Sequence, residues 1–92
     1  MRGKKTSRIN KILEIPSELI STVPKITSLG FKKLMIENYK NILEYQEHFI
    51  RVNTSIGIIN INGLNMKMEE MTKDDIIIEG SIDSVDFEKR EE

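Results

Sequence analysis

Apolar and polar residues alternate along most of the chain after Pro24, which is the pattern of half-buried β-strands. Turn-forming residues interrupt this alternation about every ten residues, as expected of a small all-β domain. The pattern predicts an all-β fold of six to seven short, mainly antiparallel strands. The strands outside the central segment are expected at residues 25–29, 34–37, 42–45, 49–53 and 76–87, with turns at 38–41 and 73–75.

The central segment, residues 56–71, carries the strongest local turn signal of the chain. Asn62-Gly63 supplies the two residues that a type I′ turn requires at positive φ, so a two-residue β-hairpin is predicted with a structural turn at Asn62 and Gly63. In such a hairpin, Ile61 lies opposite Leu64 and Ile59 lies opposite Met66. One face is then apolar, with Met68 and Gly57 also on it, and the other face is polar.

Two features of the strands bear on the overall arrangement. Gly80 interrupts the last strand, and its apolar positions change phase between Ile82 and Val85, which suggests a bulge that bends the strand. Apolar residues at 58–59 and 76–78 also point to both sides of the sheet, so one side needs a cover. This need favours self-association or a constant partner. The architecture remains open between a two-layer sandwich or roll and a solenoid-like stack of short strands whose ends are capped by other copies.

Before Pro24 the apolar residues follow helical spacing instead. Residues 6–15, with Ile9, Ile12 and Leu13 on one face, and residues 16–23 predict one or two short amphipathic helices. Helices of this length are not stable alone in water, so we expect them to dock on the sheet, a membrane or a partner. The chain divides into a basic N-terminal arm with these helices (1–23), a β domain (24–88) and a charged tail (89–92).

Composition narrows the ways in which so small a domain can be stabilised. The chain has 92 residues, no cysteine and one histidine, so disulfides and thiolate metal sites are excluded. Small domains without such links often depend on an oligomer, and we expect a homo-oligomer here. Apolar runs are too short to cross a bilayer, and no secretory signal pattern is present, so the expected location is intracellular.

Charge is distributed unevenly although the formal net charge is only −1. Acidic residues crowd the last quarter of the chain, whereas the first acidic residue from the N-terminus is Glu14. The basic arm could contact acidic lipid headgroups, nucleic acid or the acidic end of another copy, or it could be a solvated terminus. The candidate interaction residues are Arg2, Lys4, Lys5, Arg8, Ile9, Ile12 and Leu13.

Residues with catalytic or ligand-binding potential are few. His48 beside Glu44 and Glu47 could form a His-carboxylate pair, but no nucleophile lies nearby in sequence, and a surface histidine is the commoner case. Asp74 and Asp75 lack the spacing of a calcium loop. We therefore expect no catalytic residue, metal or cofactor, and no small-molecule substrate.

The aromatic residues give little support to nucleic-acid binding. They are few, and the strand region is net acidic, unlike a basic groove lined with stacking aromatics. Phe31 beside Lys32 and Lys33 is interpreted as a core or cross-strand residue with solvated neighbours. No nucleic-acid partner is expected from the β domain.

The whole chain resembles the YabP/YqfC family of sporulation proteins, and more closely its YqfC branch. The resemblance extends over roughly residues 9–87 and depends on similar patterns at residues 13–16, 23–27, 36–45, 50–57, 61–66 and 75–82. Polar positions that match the family pattern are expected to maintain turns and cross-strand contacts: Asn38, Arg51, Asn53, Thr54 and the Asn62-Gly63 turn.

The resemblance implies a non-enzymatic factor of endospore formation that acts in the mother cell during maturation of the spore envelope, its cortex or coat. It also implies a membrane-protein partner encoded nearby, and a cytoplasmic location with peripheral association at the forespore membrane left open. Together with the apolar strands it favours a self-associating scaffold. The alternative is a module that binds nucleic acid or acidic lipid through the basic arm; salt dependence separates the two readings.

Overall fold

The computed structural model describes residues 22–90, which form a single six-stranded sheet. Every pair is antiparallel, in the order β1-β2-β6-β5-β4-β3. The strands are β1 (Lys25–Leu29), β2 (Lys33–Glu37), β3 (Tyr39–Gln46), β4 (Phe49–Thr54), β5 (Gly57–Met71) and β6 (Asp75–Lys89). The predicted all-β fold is confirmed, and the described residues contain no helix. The helices predicted at 6–15 and 16–23 lie almost entirely outside them.

Most strand predictions outside the centre agree with the structure. β1 has the predicted bounds, β2 and β4 each gain one residue, and the turn predicted at 73–75 separates β5 from β6. The turn predicted at 38–41 is wrong, because β3 already begins at Tyr39. Asn38 is the single residue between β2 and β3, and it lies in the left-handed region at φ 66°, which asparagine tolerates better than most residues.

The hairpin predicted at Asn62-Gly63 is wrong. Both residues lie inside β5, which is one continuous strand of 15 residues, and neither has a positive φ. The chain therefore continues within β5 at the two positions where a turn was predicted. β5 pairs along its length with β6, also 15 residues long, so two long strands replace several of the short ones expected.

Gly63 is required for a different reason, which is the close approach of β6. An added Cβ at Gly63 would lie 2.2 Å from the carbonyl oxygen of Ser81, a distance that no side chain can occupy. At this point Asn62 pairs with Ser84 whereas Gly63 pairs with Ile82, so the intervening residue of β6 is extra. A bulge of this kind bends the ribbon and increases its twist.

A second bulge follows on the opposite strand. Leu64 pairs with Ser81 and Lys67 with Glu79, so β5 here carries one residue more than β6. Asn65 takes up the irregularity at φ 52°, and Gly80 lies opposite, where an added Cβ would be 2.7 Å from the Cα of Met66. The bulge predicted in the last strand is confirmed by the first of the two bulges, because the extra residue of β6, Asp83, lies between Ile82 and Val85.

The bend allows one sheet to enclose its own core. β2 pairs with the first part of β6 and β4 with the first part of β5, so the two short strands extend opposite halves of the ribbon. Apolar residues of both halves form one fully buried cluster, which a flat sheet would leave open on one face. The arrangement is a roll made of one sheet, rather than a two-sheet sandwich or a solenoid. The buried residues are Leu34, Ile36, Ile50, Val52, Ile59, Ile61, Met66, Ile76 and Ile78.

The apolar face predicted for the centre is largely correct. Ile59, Ile61 and Met66 are buried, but Leu64 is 59 % exposed. In a regular strand, Leu64 and Met66 would lie on the same face. The bulge at Asn65 places them on opposite faces, so Met66 is buried and Leu64 is exposed.

Backbone hydrogen bonds that join turns to neighbouring segments mark two ends of the roll. At the bend end, the amides of Gly63 and Gly80 donate to the carbonyls of His48 and Lys32, at 3.2 and 2.9 Å. At the opposite end, here called the termini end, the amide of Arg90 donates to the carbonyl of Ile56 at 3.1 Å. The first and last described residues therefore lie at the same end, far from the bend.

Replacing Met66 by alanine tests the assignment of the core. Met66 is 1 % exposed, so Met66→Ala should lower the free energy of unfolding by about 2 to 5 kcal/mol through lost burial and a cavity. Leu64→Ala, two residues away, and His48→Ala should each change it by less than about 0.5 kcal/mol, as surface substitutions do. Urea denaturation measures all three, and similar losses for Met66 and Leu64 would contradict the register of β5.

A methyl group at Gly63 tests the bend itself. Gly63→Ala should cost about 3 kcal/mol, the upper end for overpacked sites, because the carbonyl of Ser81 must move. Gly30→Ala is the control, because Gly30 has φ 58° but open space around it. This change should lower the free energy of unfolding by only about 1 kcal/mol, the cost of a non-glycine residue in the left-handed region. Equal costs in thermal unfolding would show that the two strands are not closely apposed at Gly63.

Candidate interaction surfaces

The candidate interaction residues of the basic arm, Arg2 to Leu13, lie outside the described residues. Their role therefore remains a prediction. The other candidates, Asn62 and Gly63, are placed in the bend of β5 and not in an exposed turn. The surfaces described below come from parts of the chain that did not stand out in the sequence.

His48 and its neighbours are arranged as parts of a turn. His48 is exposed between β3 and β4, and its carbonyl accepts a hydrogen bond from the amide of Gly63. Glu44 accepts a hydrogen bond from the side chain of Gln46 at 2.9 Å, and the carbonyl of Glu47 accepts one from the amide of Met66 at 2.8 Å. Among residues 22–90, no three histidine, aspartate or glutamate side chains are grouped so that they could hold a metal ion.

The acidic turn between β5 and β6 is held by its own hydrogen bonds. The hydroxyl of Thr72 accepts hydrogen bonds from the amides of Asp74 and Asp75, at 3.3 and 3.0 Å. The carbonyl of Asp74 accepts the amides of Asn38 and Tyr39, at 2.8 and 3.1 Å. This turn therefore fixes the start of β3 against the β5–β6 connection.

Polar residues of three strands form a linked cluster on the solvent face. Arg51 of β4 donates to Asn60 of β5 at 3.1 Å and contacts Glu88 of β6 at 3.2 Å. Asn60 donates to the same carboxylate oxygen at 2.7 Å. The hydrogen bond from Asn60, followed by the hydrogen bond and charge of Arg51, lowers the pKa of Glu88 below its usual value although burial opposes this.

The other polar positions singled out in the sequence also make local contacts. Asn53 donates to Asn41 of β3 at 3.0 Å and accepts from Arg90 at 2.6 Å. The hydroxyl of Thr54 donates to the carbonyl of Gly57 at 2.7 Å across the β4–β5 turn. These contacts agree with the structural role expected for Asn38, Arg51, Asn53 and Thr54.

An apolar tip projects at the bend end. Leu29 and Phe31, on either side of Gly30 in the β1–β2 turn, are 71 % and 82 % exposed. Leu64, also exposed, is at the same end: it pairs with Ser81, next to Ile82, whose amide donates to the carbonyl of Phe31. The interpretation of Phe31 as a core or cross-strand residue is therefore wrong. The signal that could have found it is Gly30, because a glycine between two large apolar residues marks the tip of a turn.

An apolar groove opens at the termini end. It encloses about 390 Å³ and lies between the start of β1 and the end of β6. Among the described strands, β1 pairs only with β2, and residues 84–89 of β6 pair only with β5, so both edges of the groove lack a neighbouring strand. Its apolar lining consists of Pro24, Ile26, Ile56, Ile58, Ile59 and Phe87.

Within residues 22–90, no helix is long and apolar enough to span a membrane.

The polar cluster predicts a specific effect on the titration of Glu88. Asn60→Ala should raise the pKa of this carboxyl towards its ordinary value, as measured by NMR, and Arg51→Met should do so as well. Because folding lowers this pKa, the cluster stabilises the fold at pH values above the unfolded pKa of glutamate. That stabilisation is lost as the pH falls through the lowered folded value. An unchanged pKa of Glu88 in both variants would contradict the cluster.

Comparisons with known proteins agree with the resemblance seen in the sequence. The model of the YabP family matches residues 21–92, which include all six strands. The chain is 30 % identical over 79 residues to the uncharacterized protein YqfC of Bacillus subtilis (strain 168), an alignment that covers 86 % of this chain and 85 % of that protein. No solved structure matches the chain significantly. The chain belongs to the YabP/YqfC family.

Proposed function

We propose that this protein is a non-enzymatic sporulation factor that acts as a self-associating assembly module in the mother cell while the spore envelope forms. Membership of the YabP/YqfC family supports the link to sporulation. Arg51, Asn60 and Glu88 are engaged in hydrogen bonds that join strands, which favours a structural role for these three residues.

The observation that carries the assembly role is the apolar tip. Phe31 is the most exposed large apolar residue described, and Leu29 lies beside it in the same turn. Covering apolar surface is favourable by about 25 cal/mol per Å² removed from water, so contact between tips of different copies is stabilising. Exposed apolar groups clustered at one place, rather than scattered singly, are typical of interaction sites.

The size of the tip indicates the kind of contact. A few side chains cover much less than the roughly 800 Å² per partner that stable complexes usually bury. Contact through the tip alone is therefore weak for each pair of copies and depends on protein concentration. A membrane-protein partner at the forespore surface, as expected for this family, would raise the local concentration and so favour assembly.

Solution mass over a range of protein and salt concentrations tests the assembly role. Size exclusion with light scattering on the full chain should give a mass above that of the monomer, increasing with concentration and not decreasing with salt, because apolar contacts are not screened. Phe31→Ser combined with Leu29→Ser should return the mass to that of the monomer. Met71→Ser is the matched control, since Met71 is 53 % exposed at the end of β5, away from the bend.

Two results would contradict the assembly role. A monomer at every concentration, or an oligomer insensitive to the tip substitutions, would remove the tip as a contact between copies. An oligomer that dissociates as salt increases would instead favour the basic arm, and with it the alternative function as a module that binds acidic lipid or nucleic acid.

A further inference from the structure

The apolar groove at the termini end is an unfinished part of the roll. Phe87 and Ile56 on its lining are 63 % and 57 % exposed, although the groove continues directly from the core at Ile59. Both of its long sides are strand edges without a neighbouring strand among those described. Edges of this kind are usually covered by a helix, a loop or another chain.

The chain itself reaches the rim of this groove. The hydroxyl of Ser55 donates to the carbonyl of Thr22 at 2.5 Å, and the side chain of Asn38 donates to the carbonyl of Val23 at 3.0 Å. Pro24, the next residue, lines the groove. The residues that precede Thr22 are therefore tethered within immediate reach of the opening.

The preceding segment has the composition that the groove needs. Residues 9–20 contain six large aliphatic side chains, Ile9, Ile12, Leu13, Ile15, Leu19 and Ile20. Pro16 divides this segment, so its aliphatic residues fall into two short groups, one before and one after the proline, as in the two predicted helices. Two charged residues of opposite sign, Glu88 and Lys89, also line the groove, so the match between segment and groove is apolar and not electrostatic.

We propose that the groove is filled by the N-terminal segment of the same chain, residues 9–20, whose aliphatic side chains cover Ile56 and Phe87 and close the open side of the roll. The same chain is favoured over a second copy because the tether at Thr22 holds the segment at a high effective concentration, in the millimolar range for short connections. This contact is at the opposite end from the apolar tip. It is therefore independent of the proposed self-association.

A tryptophan reporter tests whether the segment covers the groove. The chain contains no tryptophan, so Phe87→Trp introduces a single fluorophore at an exposed lining position. In the full chain, changing Ile12 and Leu13 to serine should shift the emission of this tryptophan to longer wavelength, because it becomes more exposed to water. Phe31→Trp, at the other end, is the control and should show no shift with the same serine changes.

Secondary structure and fluorescence emission together decide the outcome of the reporter experiment. Ile12 and Leu13 lie outside the six strands, so circular dichroism should confirm that the serine variant keeps its β structure. The proposal would be overturned if the Phe87→Trp reporter emitted at the same wavelength with the natural Ile12 and Leu13 as with serine at both positions. Equal shifts of both reporters would also overturn it, because they would reflect a general loosening of the fold.

Cysteine pairs then distinguish the same chain from a neighbour. The sequence has no cysteine, so Ile12→Cys or Leu19→Cys can each be combined with Phe87→Cys without competing thiols. Mild oxidation should produce a disulfide within one chain in at least one of these variants, at unchanged mass. The same arm positions combined with Phe31→Cys should give none. The proposal would be overturned if disulfides formed only between chains. It would also be overturned if neither Ile12→Cys nor Leu19→Cys formed a disulfide with Phe87→Cys.

The outcome is separable from that of the proposed function. Loss of self-association would appear as a monomeric mass with the reporter shift intact. Failure of the groove contact would leave the emission unchanged whatever the mass of the assembly.

Discussion

The close approach of β5 and β6 at Gly63 and Gly80 is the constraint on which the rest of the fold depends. A side chain at either position would overlap backbone atoms of the other strand, at 2.2 and 2.7 Å. The bulges beside these glycines bend the long ribbon, and only a bent ribbon lets β2 and β4 bring their apolar faces together. In a domain of 92 residues with no disulfide, this single bent sheet supplies the buried core described here. A small displacement of the backbone at the bend would therefore affect side-chain packing throughout the roll.

The same bend produces both surfaces that could contact a partner. At one end the β1–β2 turn is bonded to the bend through the carbonyls of Phe31 and Lys32, while the side chains of Leu29 and Phe31 are exposed to water. At the other end the bend separates β1 from the last part of β6, because β2 pairs with β6 only as far as Glu79. The tip is local to one turn, whereas the groove is built from residues far apart in the sequence.

Local patterns in the sequence were sufficient for the strands but not for the bend. β1, β2, β4 and the final turn follow from alternation and turn residues alone, as does the apolar character of Ile59, Ile61 and Met66. The hairpin prediction failed because a two-residue turn and a single-residue bulge change the phase of an alternating pattern in the same way. Asn-Gly favoured the turn, whereas the actual requirement at Gly63 is for space beside Ser81, which depends on the partner strand. A second phase change near Gly80 was the available clue, since two bulged strands can pair with their irregularities side by side. The groove could not be predicted, because Pro24, Ile56 and Phe87 meet only when the sheet is complete.

The distribution of polar contacts indicates where this fold can carry function. Arg51, Asn60 and Glu88 link three strands on the outer face, and Thr72 with Asp74 holds the β5–β6 turn, so these polar groups already serve the sheet. The tip and the groove lie at opposite ends of it. One end can therefore contact other copies while the other binds the segment that precedes Thr22, and neither contact needs to displace the other. A module with two separate contact surfaces on one rigid sheet can close its own open edge and still join an assembly. The N-terminal segment, which is too short to be stable alone, would thereby gain a surface to bind, while Leu29 and Phe31 at the far end stay exposed.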